Sequence, residues 1–179
     1  MIRYYVTDRR QGDVLTYASR AIRHGVDMIQ IREKDLPTRD LLDLVSRVRD
    51  LAAGTNTRIL VNDRLDIALA AGVDGVHLPS DGLPARKVRP FIKLLGVSTH
   101  TLEEAIDAER DRADFIVFGP VFDTPGKSAV GVEPLRQLTS RIKIPVLAIG
   151  GITAENSKEV LDAGAAGIAG IRLFHSRLT

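Results

Sequence analysis

The sequence predicts a (β/α)8 barrel, and three observations carry that expectation. Eight short apolar segments recur along the chain with helical patterns between most of them. A weak internal repeat marks the helix-to-strand junctions. Seven of the apolar segments run directly into polar residues or glycines, as the C-terminal ends of barrel strands do where they meet a functional rim.

The strands are expected at 2–6, 27–31, 58–61, 74–78, 94–97, 114–118, 145–149 and 167–171. Their continuous apolar character suits a parallel sheet covered on both faces. Asp13 to His24 is amphipathic, with Leu15, Ala18 and Ile22 on one side. Thr38 to Ala53 opens on an N-cap and places Leu41, Leu44, Val45 and Val48 on one face. Pro84 to Val88 forms a shorter turn. Leu65 to Ala71, Glu103 to Arg110, Pro134 to Ser140 and Glu155 to Ala163 fill the remaining gaps. The repeat reads His24-Gly25-Val-Asp27, Ala71-Gly72-Val-Asp74, Asp111-Arg-Ala-Asp114 and Ala163-Gly164-Ala-Ala, each leading into an apolar strand. Glycine after a helix fits the left-handed position that ends it.

A doubly wound sheet is the competing architecture. It would gather its site at one switch point, often with a glycine fingerprint after the first strand. That strand ends here in Thr7-Asp8-Arg9-Arg10. Even spacing and active groups at many strand ends favour the barrel. Only Leu173 to Thr179 follow the last strand, so the eighth helix is clipped or a partner chain covers that side.

The 179 residues suit a single domain spanning 1–179. The chain is 44% hydrophobic and 27% charged, with a formal net charge of +2. That balance argues against nucleic acid as a partner. A pI near 9.1 hints at anionic ligands. With no cysteine, disulfides and thiolate metal sites are excluded. No apolar run approaches the roughly 18 residues of a membrane span, and the N-terminus lacks a signal-peptide pattern. A cytoplasmic protein acting on small molecules is expected, with a homo-oligomer left open by the clipped end.

Five endings carry candidate chemistry. In Gln30-Ile-Arg32-Glu33-Lys34, strand alternation would put Gln30, Arg32 and Lys34 on one face. A guanidinium fork and an ammonium beside an amide suit a phosphate or diphosphate. The plainer alternative is a solvated strand end, with Glu33 pairing Lys34 or Arg32. Asn62-Asp63 offers a carboxylate and an amide for Mg²⁺, or Asp63 caps the helix that follows. In Ser98-Thr99-His100, His100 is a candidate general acid or base and Ser98 a phosphate donor. Equally, Thr99 or Thr101 caps the next helix, with Glu104 completing a capping box. His77 lies in an apolar run and reads as a satisfied core histidine. Thr124-Pro-Gly126-Lys127-Ser lies in a long segment of the kind that covers a phosphate. Gly150-Gly151 after the seventh strand can present main-chain amides to an anion.

Together these stretches resemble the thiamine phosphate synthase family, which also contains the thiazole tautomerases. The resemblance runs from Tyr5 to about Gly170 on Tyr-Val-Thr-Asp, Gln-Ile-Arg-Glu-Lys, Val-Asn-Asp-Arg-Leu-Asp-Ile-Ala-Leu, Gly-Val-Asp-Gly-Val-His-Leu, Gly-Val-Ser-Thr-His-Thr-Leu-Glu-Glu-Ala, Gly-Pro-Val-Phe and Ala-Ile-Gly-Gly-Ile. It implies a barrel joining hydroxymethylpyrimidine diphosphate to a thiazole phosphate, with Mg²⁺ assisting departure of diphosphate. On this resemblance Gln30, Arg32 and Lys34 hold the diphosphate. Asn62 contacts substrate and Asp63 binds Mg²⁺. Ser98 sits by the diphosphate, with Thr124 and Lys127 in the closing loop. Gly150 and Gly151 take the thiazole phosphate.

Three positions depart from the synthase pattern. Gly82 stands where the family carries a second metal-binding Asp, leaving Asp81 one residue early as the substitute ligand. Gly126 replaces a second Thr of the closing loop. Arg172 replaces a Ser that faces the thiazole phosphate. Leu78-Pro79-Ser80 is more reminiscent of the tautomerases, in which the counterpart of His100 moves a proton. The readings are therefore a synthase, a tautomerase, or a catalytically silent barrel that binds phosphate ligands.

Overall fold

The eight strands pair in chain order and close on themselves. The computed structural model describes residues 1–175. The strands are β1 (Ile2–Val6), β2 (Met28–Ile31), β3 (Arg58–Asn62), β4 (Gly75–Leu78), β5 (Leu94–Thr99), β6 (Phe115–Phe118), β7 (Val146–Ile149) and β8 (Gly167–Gly170). Every pairing is parallel, and the seam joins β8 to β1 with Ile2 opposite Gly167 and Tyr4 opposite Ala169. The helices are α1 (Val14–Arg23), α2 (Thr38–Ala52), α3 (Leu65–Ala71), α4 (Ala85–Val88), α5 (Leu102–Arg110), α6 (Val132–Thr139) and α7 (Ser157–Asp162). The expected (β/α)8 barrel is the observed one.

Several boundaries move. β5 runs to Thr99, beyond the expected end at 97, so Ser98 lies within the strand. α2 is preceded by Pro37, not capped by Thr38, and no side chain caps it. α7 begins at Ser157 and not at Glu155, because the segment before it forms a tight turn in which Asn156 Oδ1 accepts from the Thr153 amide.

The internal repeat is a mechanical device. Gly25, Gly72, Arg112 and Gly164 all adopt positive φ where a helix ends, so arginine takes the glycine role in the third copy. Each following aspartate then reaches across to the preceding strand. Asp27 accepts from the Arg3 amide, Asp74 from that of Ile59 and Asp114 from that of Leu95, each at 2.7 Å. These carboxylates sit at strand N-termini, the end of a barrel concerned with stability.

Alternation splits the strand side chains into two layers. Tyr4, Met28, Leu60, Phe115, Val117 and Leu147 fill the interior. Two larger clusters seal the sheet against the helices, one around α1 to α3 and one around α5 to α7. After β8 the described residues form a 3-10 turn, Arg172–Phe174. Phe174 is buried edge-on against Tyr5, while His175 stacks on Tyr17 at 3.8 Å and approaches the Tyr5 hydroxyl at 3.3 Å. Residues 176–179 of the expected clipped end lie outside the described residues. No described helix is long and apolar enough to cross a membrane.

The seam sets a strict size limit. A Cβ on Gly167 would overlap the backbone of Ile2, including its carbonyl oxygen. Gly167→Ala must therefore spread the β1–β8 pairing, at a cost of about 1–3 kcal/mol. The urea midpoint should fall with the slope unchanged; an unaltered midpoint would show that closure is not strained at this point.

Candidate functional site

Parallel closure delivers all eight strand C-termini to one rim, and most of the candidate residues stand on it. Gln30 is the last but one residue of β2, and its side chain enters the barrel. It is buried, and its amide donates to the Tyr4 hydroxyl at 3.0 Å. β2 ends at Ile31, so strand alternation does not extend to Arg32 and Lys34. Arg32 is half-buried at the start of the loop, whereas Lys34 is exposed in a turn. The expected single face of three residues is thus a buried amide beneath two cations carried on a loop.

Glu33 holds that loop in place. It is buried and does not pair with Arg32 or Lys34, the partners of the plainer sequence reading. Its Oε1 accepts from the Thr7 hydroxyl at 2.6 Å, and its carboxylate accepts from the Arg9 amide at 3.1 Å. The Thr7 oxygen in turn accepts from the Arg32 amide at 3.0 Å. The ends of β1 and β2 are stitched together, and Arg32 is held at its backbone. Sequence reasoning missed this role of Glu33, whose only advance signal was a carboxylate alternating with cations.

Asn62 closes β3, and Asp63 follows it in the left-handed region at φ 63°. Asp63 is not the helix cap: Arg64 takes that position, without a side-chain bond. Freed from capping, the carboxylate stands beside Gly82, where a Cβ would lie 3.2 Å from Asp63 Oδ1. Lys34, Asn62, Asp63 and Arg64 line a cleft of about 270 Å³. Asp81 is exposed in the adjoining turn. A larger groove of about 640 Å³ lies outside the barrel between α1 and α2 and includes none of the candidate groups.

His77 is a core histidine, as its apolar setting suggests, and it links the interior Tyr4 to Ser98 at the mouth. Its Nδ1 lies 3.2 Å from the Tyr4 hydroxyl and its Nε2 lies 2.8 Å from Ser98 Oγ. Burial first, and then the nearby charge of Arg32, push its pKa down to about 3. Burial pushes the Tyr4 phenol up. His100 is exposed at the opposite end of the Ser98-Thr99-His100 run. Its Nδ1 lies 2.5 Å from the Gly119 carbonyl oxygen, so Nδ1 carries the proton and donates. Thr101 is the cap of α5, accepting from the Glu104 amide at 3.1 Å. Glu104 does not close the expected box on Thr101; it accepts from the His100 amide at 2.6 Å.

Gly150 and Gly151 adopt φ values of 97° and 62°. Their need for glycine has a cause beyond ligand approach. A Cβ on Gly150 would overlap Pro120, and one on Gly151 would lie 2.7 Å from the Asp123 carbonyl oxygen. The β7 end is therefore threaded against the loop after β6, with Phe122 donating to the Gly150 carbonyl at 3.1 Å. That loop folds on itself through paired Thr124–Lys127 backbone bonds of 3.0 and 3.2 Å, which hold Gly126 at its tip with φ 79°. Among the described residues, none accepts from the amides of Gly150, Gly151 or Ile152. Arg172 opens the 3-10 turn after β8 and is exposed. Glycine amides after β7 beside a short helix after β8 are the usual phosphate cradle of this architecture.

Residues 3–174 match the family model described as thiamine monophosphate synthase. A thiamine-phosphate synthase from Methanocella arvoryzae is 44% identical over 176 residues, covering 93% of this chain and 83% of the relative. One from Pyrococcus horikoshii is 40% identical over 172 residues, with coverages of 93% and 83%. The solved thiamine phosphate pyrophosphorylase from Pyrococcus furiosus superposes with a TM-score of 0.89 at 38% identity, covering 95% of this chain and 85% of that one.

The buried His77 sets a pH dependence. Its folded pKa is depressed, so below pH 6.5 the unfolded chain takes up a proton that the folded ring refuses. The contribution to stability is whole above pH 6.5 and is lost as pH falls toward about 3. The facing groups are Arg32, which adds to the depression, and the neutral Tyr4 phenol. Denaturant titrations of wild type and His77→Gln across this window should diverge by up to about 1.4 kcal/mol per pH unit. Parallel curves would mean that the ring titrates normally in the fold.

Proposed function

Because the chain belongs to the thiamine monophosphate synthase family, we propose that it joins hydroxymethylpyrimidine diphosphate to thiazole phosphate, releasing diphosphate. The observation that carries this reading is the pairing of two separate anion sites on one rim. Arg32, Lys34 and Ser98 stand on one side and the Gly150-Gly151 amides with Arg172 on the other. A reaction between a diphosphate and a monophosphate needs both.

Chemically, the bond from the pyrimidine methylene carbon to the diphosphate oxygen breaks, and its electron pair leaves with the diphosphate. The thiazole nitrogen then bonds to that carbon. Negative charge grows on the departing group, so donors and cations already in place accelerate the step. Arg32 and Lys34 supply charge and Ser98 a hydroxyl donor. Gln30 and Asn62 offer amides to the substrate. The Gly150 and Gly151 amides hold the thiazole phosphate, and Arg172 adds a cation there. Thr124 and Lys127 lie on the loop pinned by His100 and close over the bound pair.

The donor set is consistent with Mg²⁺ arriving together with the diphosphate. Among the described residues, no three His, Cys, Asp or Glu side chains gather as a cage. Asp63 offers a carboxylate from the rim, and one carboxylate plus phosphate oxygens is a set that Mg²⁺ accepts. When bound, the ion would neutralise part of the charge on the leaving diphosphate. Asp81, in the exposed turn, is the further candidate ligand.

The purified protein, given both substrates and Mg²⁺, should form thiamine phosphate. Thiazole tautomer conversion without that product, abolished in His100→Ala, would replace the synthase reading with the tautomerase one. Asp63→Asn suits the left-handed backbone and removes the charge. It should lower Mg²⁺-dependent turnover by at least about 100-fold. Wild-type turnover would remove Asp63 from the metal site. Conversely, Gly82→Asp puts a second carboxylate against Asp63 and should lower the Mg²⁺ concentration for half-maximal turnover several-fold. An unchanged requirement would place the ion elsewhere.

A further inference from the structure

The barrel interior carries a polar chain in an otherwise apolar layer. Gln30, Tyr4, His77 and Ser98 come from β2, β1, β4 and β5, and three hydrogen bonds of 3.0, 3.2 and 2.8 Å connect them. Each of the first three is almost fully buried, and Ser98 is half-buried at the mouth. Space for the imidazole is reserved. A Cβ on Gly96 would lie 2.8 Å from His77 Nδ1 and would overlap the Phe115 ring. The Tyr4 and Phe115 rings flank the histidine with centroids 5.7 and 6.0 Å away.

The order of donors along the chain is determined by its chemistry. The Gln30 side-chain nitrogen can only donate, so the Tyr4 oxygen accepts. The Tyr4 proton then goes to its other partner, His77 Nδ1. A neutral imidazole whose Nδ1 accepts carries its proton on Nε2. Nε2–H therefore donates to Ser98 Oγ. With that oxygen already accepting from inside the barrel, the serine proton turns outward to the mouth. The opposite tautomer would draw the serine proton inward and present lone pairs to any anion.

We infer that Gln30, Tyr4 and His77 form a positioning relay that fixes the Ser98 hydroxyl as a hydrogen-bond donor toward a phosphate oxygen at the barrel mouth. The anion is the diphosphate of the proposed reaction, so the relay rests on that reading for its ligand but not for its geometry. His77, buried behind Ser98, is a positioning residue.

Two measurements test it. Long-range ¹H–¹⁵N correlation spectra of histidine-labelled wild-type protein should show His77 protonated at Nε2 and bare at Nδ1. The signal is assigned by its loss in His77→Gln. In calorimetry with inorganic diphosphate and Mg²⁺, Ser98→Ala and His77→Leu should each weaken binding by about 10-fold. The double variant should lose no more than either alone, because both remove the same contact. His77→Gln, whose amide can donate in place of Nε2–H, should restore most of the affinity. An Nδ1–H tautomer, additive losses, or wild-type affinity in folded His77→Leu would each overturn the relay. If His77→Leu does not fold, the wild-type tautomer decides. Absence of thiamine phosphate product with these results intact would overturn only the synthase reading.

Discussion

Closure of the sheet between β1 and β8 is the constraint on which the rest depends. Without it the eight strand ends would fan out along an open edge, and residues from β2 and β7 could not share a rim. Closure requires backbone to approach backbone closely, and the chain meets that demand with small residues. β8 reads Gly167-Ile-Ala-Gly170, and Gly75 at the start of β4 would overlap the Leu94 carbonyl if it carried a Cβ. The same tightness leaves an interior filled by side chains instead of a channel. The aspartate braces at the opposite end add direction, tying each of β1, β3 and β5 to the strand that follows it.

Much of this was legible in the sequence because it depends on local pattern. Continuous apolar segments marked the strands, and glycines at Gly25, Gly72 and Gly164 marked helix ends through a backbone preference that needs no tertiary context. The repeated aspartates were visible as a motif, but their bonds to neighbouring strands were not, since the partners lie 15 to 24 residues away. The polar rim was legible for the same reason as the strands. Its internal wiring was not. In the sequence Glu33 stands among cations; in the fold it braces Thr7 and Arg9. In the sequence Gly150 and Gly151 suggest room for an anion; in the fold the loop after β6 occupies the space that their missing side chains leave. Its place before α3 makes Asp63 a candidate cap; its positive φ removes it from that task and turns it to Gly82. In each case a long-range neighbour decided between two local readings.

His77 shows how burial changes what a residue can do. In the sequence it is one of 4 histidines and the one with the most apolar setting. In the fold the same apolar setting keeps it neutral, and a neutral imidazole has one proton to place. Tyr4 and Gln30 decide where. A histidine free to take up a proton would donate from both nitrogens and lose that directionality.

In the proposed reaction the site uses two kinds of anion recognition that differ in what they cost. Lys34 is exposed and Arg32 half-buried, so their attraction acts partly through water and is weakened by salt and by the entropy of ordering long side chains. Ser98 and the glycine amides are neutral donors already fixed by the barrel, and binding a phosphate requires no further ordering of them. Charge on the loops draws a multiply charged ligand to the rim from a distance. Neutral donors set in strand ends decide where its oxygens come to rest. For a reaction in which charge moves from a carbon–oxygen bond onto the departing diphosphate, the second group matters more in the transition state, because its dipoles are aimed before the charge arrives. That ordering explains why the polar chain reaches so deep into the interior: the donor at the mouth is only as well aimed as the last buried partner behind it.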